Sequence, residues 1–149
     1  MVVWLLFFFE KICFEQILVE EYKVINSEVK VHIKTKNCYL YPDTMVVCGE
    51  IEIAADEPNA ITNPKVIVEV RSKSTADYDR GDKFYLYRQL TSLEEYILID
   101  QEKAQIDIHK RQGDLWKLSR ISGLENTLTI KILDVSIMLA EIYSGVVVE

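Results

Sequence analysis

Pro64-Lys65-Val66-Ile67-Val68-Glu69-Val70-Arg71 is the stretch on which the fold turns. Its middle is nearly continuous in β-branched residues, as expected of a strand covered on both faces. Ser72-Lys73-Ser74-Thr75 then breaks the run and supplies hydroxyls for a helix cap. Asp77, three residues after Ser74, resembles a capping box. A helix is predicted over 76–90, with Gly81 weakening it so that the regular part begins nearer Asp79. Glu95–Asp100 reads as the next strand. A strand–helix–strand unit of this kind crosses over right-handed and sets its two strands parallel.

Working outward, Val29, Val31 and Ile33 alternate with Glu28, Lys30, His32 and Lys34, the period of a half-buried strand. His32 falls on its polar side and reads as a solvated strand residue. Asn37 marks a turn into a second strand over Tyr39–Cys48, and residues 49–63 read as loop. With the strand at 65–71, these form a predicted meander. Downstream, Ala104–Lys110 and Leu115–Ile121 are joined through Gln112-Gly113-Asp114 as a hairpin. A further strand lies around Leu128–Ile132. Asp134 is expected to cap a closing helix with Val135, Met138, Leu139 and Ile142 on one stripe. A first helix is expected over residues 5–21. The sum is a single α/β (α+β) domain over 1–149, a mixed sheet flanked by helices with a C-terminal hairpin extension and a closing helix.

The chain has 149 residues, 49% hydrophobic and 28% charged, ordinary values for one globular domain. A net charge of −7 argues against a surface that grips nucleic acid everywhere, though not against a local basic cleft. Cys13, Cys38 and Cys48 show no Cys-x-x-Cys spacing, and His32 and His109 are the two histidines, so a structural zinc site is not expected. The thiols read as reduced, and the protein as cytoplasmic. The apolar run Val2–Phe9 is far short of the ~20 residues that span a bilayer, and no membrane partner is expected.

Glu69 is a carboxylate in an apolar strand, unfavourable unless paired, protonated or bound to a cation. Asp43, in Tyr41-Pro42-Asp43-Thr44, sits at the mouth of the preceding strand. If those strands are neighbours, both acids reach one face, and the backbone carbonyl of Val70 is a natural third oxygen. Mg²⁺ favours such oxygen ligands, often one or two carboxylates with water and phosphate completing the shell. Hydrolysis of a phosphodiester also needs a cation for the charge on the phosphorus oxygens. Arg71 shares the face of Glu69 by strand alternation; Lys83 competes from the helix. The bland alternatives are a Glu69–Arg71 pair and an i,i+4 pair of Lys83 with Asp79. No Gly-rich phosphate loop or nucleophile–histidine arrangement points to a small-molecule enzyme.

Tyr41-Pro42-Asp43, Val68-Glu69-Val70, Ser72-Lys73-Ser74-Thr75, Asp79-Arg80-Gly81-Asp82-Lys83 and Glu94-Glu95-Tyr96, in that order, resemble the Uma-type restriction endonuclease family of the PD-(D/E)XK nuclease superfamily. The resemblance runs from about Asn26 to Tyr143. It implies a restriction endonuclease-like fold and Mg²⁺-dependent (Mn²⁺ as substitute) cleavage of DNA, with a homodimer for cutting both strands. It also implies that Asp43 and Glu69 are the two motif acids. Many superfamily members carry lysine where Arg71 stands; in the Uma-type family that position is usually apolar, which ranks Lys83, as the migrated lysine, above Arg71. One departure is the lack of a Tyr-Glu-Leu-x-x-Gly-Glu-like strand before the first helix, leaving the first ~25 residues atypical. That departure gives the rival expectation: a catalytically degenerate or truncated nuclease-like module with a binding or assembly role.

Overall fold

The computed structural model describes residues 11, 21–74 and 78–149, without the side chains of 79 and 80. The helix expected over 5–21 therefore lies almost wholly outside the described residues, as do Ala76 and Asp77 at the start of the later one.

Six strands build the main sheet: β1 (Tyr22–Asn26), β4 (Thr44–Cys48), β7 (Val66–Arg71), β8 (Glu95–Asp100), β9 (Gln105–Gln112) and β10 (Leu115–Ser122), side by side in that order. β7 and β8 run parallel, as the crossover requires, and every other neighbour is antiparallel. β7 is buried along its whole length, which is why its sequence shows no polar alternation. The hairpin β9–β10 turns at Gly113, whose φ of 62° suits glycine.

A second sheet has the order β3-β2-β6-β5, from β2 (Lys30–Ile33), β3 (Cys38–Leu40), β5 (Ile53–Ala54) and β6 (Glu57–Ile61). It covers one face of the main sheet together with α1 (Phe84–Tyr87), enclosing Val31, Ile33, Met45, Ile61, Ile67, Tyr87, Leu93, Tyr96 and Leu98. The other face carries the ribbon β11 (Thr127–Ile130) and β12 (Val135–Met138) with α2 (Leu139–Ile142). These bury Leu128, Ile130, Val135, Ile137 and Leu139 against Val66, Val68, Ile97, Ile99 and Ile106. Among the described residues no helix is long and apolar enough to cross a membrane.

Several expectations need correction. The strand read over Tyr39–Cys48 is two strands in two sheets. Pro42 has no N–H to continue a ladder, and at Tyr41–Asp43 the chain passes from the small sheet to the main one. The meander pairings exist, β2 with β3 and β4 with β7, but in different sheets. Residues 49–63 are not simply loop: β6 pairs parallel with β2 and antiparallel with β5, its identity hidden by Pro58 and its acidic neighbours. Asp134 does not cap a helix. It sits at φ 53° after the 3₁₀ turn Lys131–Leu133, and Val135–Met138 is a strand whose buried and exposed residues alternate. The closing helix is the single turn of α2. The helix predicted over 76–90 runs from a π turn, Asp79–Lys83, directly into α1, consistent with local weakening at Gly81.

Arg71 closes the β7 end of the sheet. Its Nη1 donates to Asp107 Oδ2 at 2.8 Å, and its Nε approaches Asp100 Oδ2 at 3.4 Å. Arg120 grips the same carboxylate, Nε to Oδ1 at 2.6 Å and Nη2 to Oδ2 at 3.0 Å. Burial works against the Asp107 carboxylate, but the hydrogen bonds from Arg120 and Arg71 outweigh it and hold its pKa at about 2. Its stabilisation is therefore present above its ordinary value of 3.8 and lost as pH falls from there toward about 2. Asp107→Ala should destabilise the fold by ~3–5 kcal/mol in urea unfolding at pH 7, because Arg71 is left buried without its main partner. A loss under ~1 kcal/mol would mean that the cluster is not structural.

Candidate active site

After the break at Pro42, β4 begins one residue past Asp43, and the β4–β7 register sets Thr44 opposite Val68. Continuing that register brings Asp43 alongside Glu69. The two acids are tied by reciprocal backbone bonds: the Val70 N–H donates to Asp43 Oδ2 at 2.8 Å, and the Asp43 N–H donates to Glu69 Oε2 at 3.3 Å. Asp43 is half-buried, while Glu69 is 2% exposed.

The other Glu69 oxygen, Oε1, accepts from the Tyr87 hydroxyl at 2.9 Å and meets Lys83 Nζ at 3.2 Å. Lys83 and Tyr87 are four residues apart, so one helical face presents both to the same carboxylate. The π turn over Asp79–Lys83 precedes them; turns of this type insert an extra residue into a helix and recur at functional sites. Burial pushes the Glu69 carboxyl up to about 8; Lys83 opposes that rise, the Asp43 carboxylate adds to it, and the Tyr87 hydroxyl opposes it. Tyr87 is itself raised, by burial and by Glu69.

The structure thus brings together three of the residues singled out in the sequence: Asp43, Glu69 and Lys83. Lys83 meets Glu69; the side chain of Asp79, its bland partner, lies outside the described residues. Arg71 shares the Glu69 face but its guanidinium is bound to Asp107 and Asp100, which separates it from the role of a cation waiting on phosphate. Val70 contributes its N–H to Asp43, and its carbonyl leaves the strand on the same side, beyond the last β4–β7 pair. Tyr87 was not foreseen; its i+4 spacing from Lys83 was the available signal. Among the described residues no three His, Cys, Asp or Glu side chains converge as metal ligands, so the acidic pair is a two-carboxylate site.

Comparison with known proteins agrees with this architecture. Residues 2–140 match the model of the Uma2 family, described as "Putative restriction endonuclease". Two proteins of Synechocystis sp. (strain ATCC 27184 / PCC 6803 / Kazusa) are similar. "Uncharacterized protein sll1609" is 36% identical over 104 residues, 69% of this chain and 59% of its own length. "Uncharacterized protein slr1290" is 33% identical over 121 residues, 80% of this chain and 62% of its own length. The matched part of this chain thus spans about 60% of these relatives. A crystal structure from Anabaena variabilis ATCC 29413, described as a "putative nuclease belonging to DUF820", superposes with a TM-score of 0.75 at 10% identity, over 96% of this chain and 80% of that one. The mixed sheet with its flanking layers is a restriction endonuclease-like α+β fold. With the family's model matching nearly its whole length, this chain belongs to the Uma2 family.

Proposed function

We propose that the protein is a metal-dependent DNA endonuclease that hydrolyses phosphodiester bonds at the Asp43–Glu69 pair. The observation that carries the reading is the pairing itself: two carboxylates from adjacent strands, one buried and resisting ionisation, with an ammonium at 3.2 Å. A second carboxylate beside a buried one is unfavourable in the free protein and favourable once a cation lies between them.

The donor set fits Mg²⁺, or Mn²⁺ in its place. Asp43 and Glu69 would hold the ion with the Val70 carbonyl as third oxygen; hard oxygens and few carboxylates are what such ions accept. When bound, the ion would supply Lewis acidity, polarising a phosphoryl oxygen and acidifying water. The remaining roles belong to the chain. Tyr87 orients the Glu69 carboxylate through its hydroxyl. Lys83, with its side chain 19% exposed, faces the negative charge that gathers on the phosphorus oxygens. Arg71 holds the strand end through Asp107 rather than touching phosphate. The half-buried free thiols of Cys38 and Cys48 suit a reducing cytoplasm. A homodimer belongs to the reading where both strands of a duplex are cut.

Asp43→Asn and Glu69→Gln should each lower Mg²⁺-dependent nicking of plasmid DNA by at least about 100-fold with unchanged circular dichroism. Lys83→Ala should lower the rate by about 100-fold, chiefly in kcat. Full activity in either acid variant would reject the reading; DNA binding without cleavage in the wild type would favour the rival, a module without catalysis.

Glu69 also makes stability depend on pH. Its folded pKa of about 8 lies above the ordinary 4.5, so its protonated form stabilises the fold fully below 4.5. That contribution declines as pH rises through about 8. Thermal unfolding should therefore show Glu69→Gln gaining on the metal-free wild type as pH rises over that window. Mg²⁺ should raise the wild-type Tm more at pH 8.5 than at pH 6, and leave the variant unmoved. Equal shifts in both proteins would place the ion elsewhere.

A further inference from the structure

β10 ends the main sheet: β9 lies on one side of it, and among the described residues no strand lies on the other. It is 8 residues long, Leu115–Ser122, contains no proline and pairs with β9 residue for residue without a bulge. Short length, a proline or a bulge commonly keeps such an edge from pairing again, and β10 has none of them. Leu115 and Leu118 stand in water along it, 74% and 57% exposed.

The hairpin sets which backbone groups this edge presents. Gln112 and Leu115 flank the two-residue turn Gly113-Asp114 and face each other, the position where such a hairpin closes with a hydrogen-bonded pair. By alternation Leu115, Lys117, Ser119 and Ile121 bond to β9, while Trp116, Leu118 and Arg120 turn their N–H and C=O groups outward. Two bonds at the end of the strand follow the same alternation. The Gly123 N–H donates inward to the Ala104 carbonyl at 2.9 Å, and the Ser122 carbonyl accepts from the Asn126 side chain at 2.6 Å.

The side chains of β10 complement the same strand run in the opposite direction. A two-fold axis perpendicular to the sheet at Leu118 sets that residue opposite its own copy, Trp116 opposite Arg120, Leu115 opposite Ile121 and Lys117 opposite Ser119. Aliphatic side chains then meet aliphatic ones, and no two cations are opposed. Arg120 brings a charge already answered, since Asp107 holds its Nε at 2.6 Å and its Nη2 at 3.0 Å. Neighbouring registers that also bond the outward groups match less well. Moving the axis to Lys117 sets that cation against itself; moving it to Ser119 sets Leu118 against Arg120 and Leu115 against Gly123.

We infer that β10 is a homodimer interface, at which two copies of this chain join edge to edge, antiparallel about Leu118, into one continuous sheet. The partner is a second copy because the strand matches itself, and an isologous contact of this kind closes at two. β8 and β9 separate this edge from β7 and its Glu69, so the inference stands apart from what the Asp43–Glu69 pair hydrolyses.

The test is sedimentation equilibrium of the full chain over a concentration series. The wild type should reach twice the monomer mass, and no more. Leu118→Lys, which sets two ammonium groups opposite each other on the axis, should weaken association at least about tenfold with unchanged circular dichroism. On mild oxidation Leu118→Cys should form a disulfide-linked dimer, since bonded antiparallel pairs hold their Cα atoms ~5.5 Å apart. Leu115→Cys, facing Ile121, should crosslink no more than the wild type. A wild type that stays monomeric, or a dimer that Leu118→Lys leaves at full strength, would overturn the inference. So would equal crosslinking through both cysteines, or growth beyond the dimer, the mark of β10 pairing with another edge of the next copy.

Discussion

The arrangement depends on a carboxylate inside a sheet. Glu69 lies in the most deeply buried strand, flanked by β4 and β8, where an unpaired charge would cost several kcal/mol. Its oxygens are met from two directions: the Asp43 N–H from the neighbouring strand, and the Tyr87 hydroxyl and Lys83 ammonium from the crossover helix. Those contacts require β4 to begin where it does and the helix to return over the same face. The chain break at Pro42, the π turn and the β4–β7 register thus have one common consequence. Even so, burial and Asp43 keep the carboxyl reluctant to ionise, a condition that the proposed cation would relieve.

How much of this was legible in the sequence follows the range of the interactions. β7 and β8 were readable because continuous β-branched runs announce themselves locally. The β9–β10 hairpin was readable from Gln112-Gly113-Asp114. β6 was hidden because Ala60 and Ile61 become strand residues only once β2 lies beside them. The segment after Asp134 carried two compatible patterns: Val135, Met138, Leu139 and Ile142 fit a helical stripe, while Val135 and Ile137 fit alternation. Packing of the ribbon on the main sheet selected the second. Within the candidate site, motif and spacing singled out Asp43, Glu69 and Lys83, which the fold brings together. The engagement of Arg71 could not be read in this way, because its partner Asp107 is 36 positions away and belongs to a strand that nothing local pairs with it.

Charge is distributed to match this division of labour. The excess of acid over base belongs to the molecule as a whole, whereas Lys83 is set against Glu69, and Arg71 and Arg120 against Asp107. The main sheet supplies Glu69, and the crossover helix brings Lys83 and Tyr87 to it.

The most direct test of the central claim is anomalous X-ray diffraction from crystals soaked in Mn²⁺. The account predicts one strong peak lying between the carboxylates of Asp43 and Glu69, within coordinating distance of both. A saturating soak in which that position stays empty, or in which manganese binds elsewhere while Glu69 keeps only Tyr87 and Lys83, would contradict it.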